Sequence, residues 1–285
     1  MKLLVPILPF ALVLSCATAM TAQPVSVTYQ PPSQSTTLGT TFVDWDSLVV
    51  RPTPVGLIRT VFDNPTPTLE KFEVHVTTLR PGMASHSPHH HPWEEMLVIK
   101  EGDVVASING HDYPAGPGCL IFFASHDPHN LRNVGDQPAT YYVINFCTDR
   151  VHTVPDKPAS ERAVPGMLPS SVIDCDKLPA VPTKSGTHVD VIDSPTLTFV
   201  RLGSHITTLN VGQMTRPDIA DPGDELFILK SGVIEARVDG VSCRLREGSL
   251  FYCAPNSRRT FRNIGTTAAS YQVIKVVSDK TPKQA

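Results

Sequence analysis

No stretch in the body of the chain is apolar over the ~20 positions that a membrane-crossing helix requires, so a transmembrane segment is not expected. Positive charge is not in excess either. Lys and Arg number 24 against 27 Asp and Glu, for a net charge of −3 and a pI of about 6.4. Nucleic acid and anionic membranes attract basic surfaces, and this balance offers none. Charged residues make up only 18% of the chain, which argues against a disordered polyelectrolyte. No Cys-x-x-Cys pair occurs, which argues against a zinc ribbon or a thioredoxin-like site. What is abundant is apolar material, at 41%, and proline, 27 in 285 residues. That is about 9% proline against an average of ~5%. Proline lacks the N–H that a helix interior uses, so short strands joined by turns are the expectation. The length suits one large domain or two small ones.

The first 22 residues read as a secretory signal. Lys2 precedes an apolar run from Leu3 to Leu14, followed by small residues through Ala22. Twelve apolar residues are too few to span a bilayer. Cleavage after Ala19 would use Ala17-Thr18-Ala19. A second reading is Val13-Leu14-Ser15-Cys16, which resembles a bacterial lipoprotein signal with Cys16 as the lipidated residue. Export to the periplasm or the exterior is the expectation under both readings. Five cysteines remain, an odd number, so at least one thiol stays unpaired. Cys119 and Cys253 sit in apolar runs and read as small buried hydrophobes.

Residues 23–41, rich in Thr, Ser, Gln and Pro, read as a flexible tether. From Phe42 the chain alternates β-rich runs with turn residues. Residues 72–79, 96–99, 103–108, 120–123 and 141–146 read as strands, and Asn109-Gly110 as a hairpin turn. The pattern then returns at a constant offset of 130 residues. Gly82, Glu95, Gly102, Gly110, Gly118, Asn133 and Tyr141 recur as Gly212, Glu225, Gly232, Gly240, Gly248, Asn263 and Tyr271, with no gap from Gly82 to Ile144. Glycines aligned at so many turns mean a tandem duplication, because such turns require positive φ. The expected organisation is a first barrel at 42–150, a Pro-rich linker at 151–185, a second barrel at 186–280 and a tail at 281–285. The fold class expected is all-β.

Seven of the eleven histidines lie between His86 and His129. On a strand, residues two apart share a face, so His89 and His91 aim one way and His90 the other. Glu95 follows after a short turn. His129, in Ser125-His-Asp-Pro-His129, is the candidate fourth ligand. His89-x-His91-x3-Glu95-x6-Gly102 and Gly118-x5-Ala124-x-His126-x2-His129-x3-Asn133 resemble the two motifs of the cupins, and the duplication resembles a bicupin. The departures are one extra residue after Gly82, and Ala124 and His126 where the family's usual proline and glycine stand. The resemblance implies two tandem jelly-roll barrels, with His89, His91, Glu95 and His129 on one divalent metal. Three imidazoles and a carboxylate leave open positions in an octahedral shell. That suits Mn(II) or Fe(II), with Ni, Co or Zn as alternatives.

His86 and His126 are the tentative catalytic residues, as proton-handling groups near the metal. His90 and Glu94 are expected to face outward or support the loop, and Trp93 to pack. Alternate members of Phe122, Phe123, Tyr141 and Tyr142 are candidates to line the pocket. In the second repeat, Ile219, Asp221 and Arg259 stand at the positions of His89, His91 and His129, and only Glu225 survives from the ligand set. Arginine has no lone pair to donate, so this barrel is expected to hold no metal. Its Arg259 is expected to take over the cation's role and pair with Glu225, Asp221 or both.

The functional expectation is a small-molecule metalloenzyme, oxygenase- or lyase-like, acting on an oxygen-rich substrate. The rivals are a non-catalytic metal- or small-molecule-binding protein and a sugar isomerase, since cupins host all of these. Oxalate decarboxylase-like chemistry is disfavoured, because those bicupins resemble two complete sites in a longer chain. A homodimer through barrel edges is a further expectation from the resemblance.

Overall fold

The computed structural model describes residues 25–26, 36–162 and 164–283. The signal segment 1–22, with Cys16, and most of the tether lie outside these residues. No helix among the described residues is long and apolar enough to cross a membrane. The architecture is all-β, two jelly-roll barrels in tandem.

Each barrel is built around a seven-stranded antiparallel sheet. In the first, the strands run in the order 171–174, 119–123, 94–101, 139–147, 71–79, 56–64 and 50–53. A smaller sheet completes this barrel, in the order 25–26, 89–90, 129–133, 104–108 and 111–115. The second barrel repeats the plan with strands 181–183, 186–194, 201–209, 269–277, 224–231, 250–253 and 41–43, and a small sheet of 241–246, 233–238 and 259–263. The expected strands are all present, most of them a residue or two longer at their ends.

The organisation differs from the expected boundaries in one instructive way. Thr41–Val43 stands at the start of the expected first barrel but pairs with Leu250–Cys253 of the second. Ser171–Asp174 falls in the Pro-rich segment read as a linker, yet it pairs with Cys119–Phe123 of the first barrel. The two strands are related by the same offset of 130, so the barrels exchange equivalent strands. Each exchanged strand leads into a 3-10 turn capped by an aspartate, with Asp44 accepting from the Asp46 N–H and Asp174 from the Asp176 N–H. Trp45 of the first turn lies against Gly248, where a Cβ would come within 2.8 Å of its ring and where φ is +86°. Only glycine satisfies both conditions.

Strand alternation decides what each residue sees. In Lys71–Leu79, Phe72, Val74 and Val76 join a core shared between the barrels, together with Met96, Val98, Phe122, Tyr142, Ile144 and Phe146. Phe199, Leu202, Leu226, Ile228, Leu250, Tyr252 and Ile274 enter that core from the second barrel. Residues of opposite parity, such as Leu97, Ile99, Ile121, Phe123, Tyr141 and Val143, fill the first barrel's interior. Phe227, Phe251, Phe261 and Tyr271 do the same in the second. Both faces of the strands 94–101, 119–123, 139–147, 224–231 and 250–253 are therefore buried over most of their length, whereas the edge strands 50–53 and 181–183 are exposed. Cys119, Cys147, Cys175 and Cys253 are buried free thiols and Cys243 is a half-buried one. Cys119 and Cys253 thus pack as expected.

Glu94 corrects an expectation. It does not face outward but is fully buried at the junction of the barrels. Its carboxylate accepts from the Thr196 hydroxyl at 2.5 Å, the Thr198 hydroxyl at 2.8 Å and the Leu197 N–H at 3.1 Å. The reason is parity: Glu94 shares its face with Met96 and Val98, and the second barrel covers that face. The junction is nearly symmetric. Asp224, the equivalent of Glu94, accepts from Thr68, the equivalent of Thr198, and from the Tyr252 hydroxyl.

Burial pushes the Glu94 carboxyl up to about 7, against the opposing pull of its hydroxyl and N–H donors. A folded value above the unfolded one means that the folded chain holds an extra proton between them. The stability this group contributes is complete below about 4.5 and is lost as pH rises through 7. Relative to Glu94→Gln, which carries no charge, the wild-type protein should lose on the order of 3 kcal/mol between pH 4.5 and 8. Urea denaturation of both proteins across that range tests this; a difference that does not change with pH would contradict it.

Candidate metal centre

The ligand candidates come from three elements. His89 lies on the short strand His89–His90, and His91 follows it directly. Glu95 is on the strand Glu94–Glu101, with the inward parity of Leu97 and Ile99. His129 opens the strand His129–Asn133 and pairs with His89 across the small sheet. One ring nitrogen from each of His89, His91 and His129 lies within 4.8 Å of the others. Glu95 completes the group. Its Oε2 is 3.5 Å from His91 Nε2 and its Oε1 3.9 Å from His129 Nε2.

The tautomers are set from behind. His91 Nδ1 donates to the Trp93 carbonyl at 2.9 Å, and His129 Nδ1 to the Asp127 carbonyl at 2.8 Å. With the proton held at Nδ1, the lone pair is on Nε2. Both Nε2 atoms are buried and have no hydrogen-bond partner. Buried polar atoms without a partner are costly, and here they converge on a carboxylate. Burial, with smaller contributions from neighbouring imidazoles, lowers His89, His91 and His129 to about 3, so all three are neutral donors at ordinary pH. Flat aromatic contacts hold the rings. Trp93 stacks on His91 at 4.2 Å and Phe123 on His129 at 4.1 Å. The donor set, its protonation and its orphaned nitrogens all fit a divalent metal.

The group opens into a cavity of about 520 Å³ lined also by Leu57, Ile58, His75, His86, Tyr141 and Asn145. Phe123 and Tyr141 line it, whereas Phe122 and Tyr142 turn to the shared core, as alternation requires. Trp93 does more than pack: its Nε1 donates to Asn145 Oδ1 at 2.9 Å. Asn145 in turn donates to Glu73 at 2.6 Å, and Glu73 holds His75 Nδ1 at 2.7 Å. Burial works to lower His75, but the Glu73 bond and charge, with help from Glu95, outweigh it and leave the imidazole above its ordinary value. Sequence reading missed this pair because the family motifs do not include it. Two signals were available: the inward parity of Glu73 and His75, and the return of His75 as His205.

The tentative catalytic histidines part company. His86 is exposed and lines the cavity, its Nδ1 2.8 Å from His89 Nδ1. His126 does not line the cavity. Its Nδ1 faces His90 and Asp156 instead, which corrects the expectation that it serves the metal.

In the second barrel, Arg259 is buried, 6% exposed. Its guanidinium donates to Glu225 at 2.6 Å and to the Ile219 carbonyl at 3.2 Å, and it lies over the Phe227 ring. Asp221 pairs with Lys275 rather than with Arg259. Burial pushes the Glu225 carboxyl up and the Arg259 charge pulls it back. His205 has Gly203 where His75 has Glu73, and burial together with the His188 charge drops it to about 4.

The model of the cupin domain matches the chain twice, over residues 75–145 and 205–275. The chain belongs to the cupins and carries the domain in tandem, a bicupin with a histidine cluster suited to metal. Solved structures of similar fold include a deletion mutant of Bacillus subtilis oxalate decarboxylase OxdC, at 15% identity and a TM-score of 0.62 over 85% of this chain and 78% of that one. AerE from Microcystis aeruginosa has 12% identity and a TM-score of 0.62 over 83% and 99%. Ylba from E. coli has 12% identity and a TM-score of 0.64 over 88% and 96%. Likeness at these identities establishes the fold alone. The transcriptional activator RhaS of Yersinia pestis (strain Pestoides F) is 35% identical over 48 residues, 17% of this chain and 18% of that protein. The chain thus spans under a fifth of the curated relatives that it matches.

Two outcomes follow from this geometry. His91→Ala should lose most Mn(II) binding at the first barrel, measured by isothermal titration; unchanged affinity would remove His91 from the centre. Arg259→Ala should destabilise the fold by roughly 3–5 kcal/mol, because a buried carboxylate loses its partner. Adding Glu225→Gln should restore part of the loss. Denaturant midpoints of the single and double variants decide it, and a single variant as stable as the parent would contradict the pairing.

Proposed function

We propose that the chain is an exported metalloenzyme that uses the cavity of its first barrel to transform a small oxygen-rich molecule, by oxygenase- or lyase-like chemistry. The observation that carries this reading is the pair of buried, unpartnered Nε2 atoms of His91 and His129 turned toward Glu95 at the edge of that cavity. His89, His91, Glu95 and His129 would hold one divalent ion, Mn(II) or Fe(II) in the first instance. Such an ion supplies a Lewis acid with open positions for a substrate carboxylate or enediol-like group.

The chain's own residues supply the rest. His75 holds a proton in the cavity, oriented through Nδ1 by Glu73, and Asn145 and Trp93 tie that carboxylate back to a metal ligand. An imidazole whose proton affinity is raised in this way is a stronger proton acceptor than a free one. His86 stands at the exposed side of the cavity, where it braces His89 and is a second proton-handling group. Leu57, Ile58, Phe123 and Tyr141 give the cavity an apolar wall. That wall favours a compact substrate with one polar end. The second barrel supplies a strand and the shared core rather than a second reaction centre.

The test is a metal analysis of the protein as isolated, followed by a panel of small carboxylates, ketols and sugars with product and oxygen-uptake readouts. Turnover is expected, and His75→Asn should lower it by about 10²–10⁴-fold with metal content unchanged. Tight binding of a panel member with no turnover would overturn the enzymatic reading in favour of a binding protein. Equal turnover by His75→Asn would remove that residue from the reaction.

A further inference from the structure

His90 and His126 are left over from the cavity, and they meet each other. His90 points to the opposite side of the segment from His89 and His91, as alternation dictates. His126 occupies a left-handed turn, φ +61°, and its equivalent Asn256 has φ +65°. The turn itself therefore requires positive φ, a conformation that glycine adopts most cheaply and that asparagine and histidine enter more readily than most other residues. His126 is nonetheless buried, 5% exposed. Asp156 comes to it from the segment that follows the first barrel's last strand.

The three side chains present one donor atom each to a common point. His126 Nδ1 lies 3.0 Å from Asp156 Oδ1 and 3.4 Å from His90 Nδ1, and His90 Nδ1 lies 3.6 Å from Asp156 Oδ1. A tetrahedral ion with N and O ligands at ~2.0–2.1 Å separates its ligands by about 3.3 Å, which is the size of this triangle. Two imidazole nitrogens facing each other at 3.4 Å with a carboxylate beside them make a cation-attracting arrangement. Arg162, the nearby competing cation, is fixed on the Ser125 carbonyl at 2.8 Å.

We propose that His90, His126 and Asp156 form a second metal site, outside the barrel, for a tetrahedral divalent transition ion of the zinc type, with its fourth position open. Bound there, the ion ties the segment around Asp156 to the His89–His91 stretch, with His90 standing between two ligands of the first centre. The second repeat has no counterpart, because Ala220 and Asn256 stand at the positions of His90 and His126. This proposal does not depend on the enzymatic reading.

The test is a Zn(II) titration of the metal-free full-length protein, followed by calorimetry and by metal analysis after gel filtration. Wild type should take up two equivalents. Asp156→Asn, at an exposed residue, should weaken one equivalent at least tenfold, and His90→Ala should abolish it. His91→Ala should lose the other equivalent and keep this one, and adding Asp156→Asn to His91→Ala should then remove it. A wild type whose bound Zn(II), at whatever stoichiometry, is indifferent to both Asp156→Asn and His90→Ala would overturn the proposal.

Discussion

Burial of both faces of the central strands in the seven-stranded sheets is the constraint on which the rest of the structure depends. One face lines a barrel and the other meets the neighbouring barrel, so neither parity of a central strand reaches water. Two adjacent glutamates illustrate the consequence. Glu95 turns into the barrel and joins three imidazoles; Glu94 turns to the opposite face, into the junction, and is enclosed by Thr196, Leu197 and Thr198 of the second barrel. A carboxylate cannot remain charged and alone in either place. Each is answered by chemistry suited to its face, a cation-ready cluster on one side and neutral donors on the other.

The same requirement explains how the two repeats diverged. Both keep the inward glutamate, and each barrel needs a positive partner for it. The first barrel assembles neutral imidazoles that fit a metal ion. The second places the guanidinium of Arg259 where His129 stands and closes the pair beneath Phe227. The substitution is coherent across the neighbourhood, since Lys275 replaces Asn145 and pairs with Asp221. The His75–Glu73 pair loses its carboxylate at Gly203. The second barrel also contributes structurally to the first: it lends the strand Ser171–Asp174 and covers the outer face of the large sheet.

Much of this was legible in the sequence because it is written in spacing. The repeat offset, the alternation within strands, the histidine motif and the replacement of His129 by Arg259 are all local patterns, and each has a geometric consequence. The exchange of strands was not legible, because Thr41–Val43 and Ser171–Asp174 are short segments whose partners are set by tertiary packing over a separation of more than 200 residues in one case. Glu94 was misplaced for the same reason. Its parity was readable, but the presence of a second barrel against that face was not. His75 was overlooked because its importance comes from contacts with Glu73 and the cavity, not from a motif. His126 was drawn toward the metal by sequence proximity to His129, whereas the left-handed turn directs it toward His90 and Asp156.

The central claim is that one inward glutamate is built to share a metal ion with three histidines while its twin is neutralised by an arginine. Crystals of the manganese-loaded protein, measured for anomalous scattering at the metal edge, test it most directly. The account predicts a strong peak enclosed by His89, His91, Glu95 and His129, and none beside Glu225, where the Arg259 guanidinium should be seen. A peak beside Glu225, or a first barrel that binds no ion between those four side chains, would contradict it.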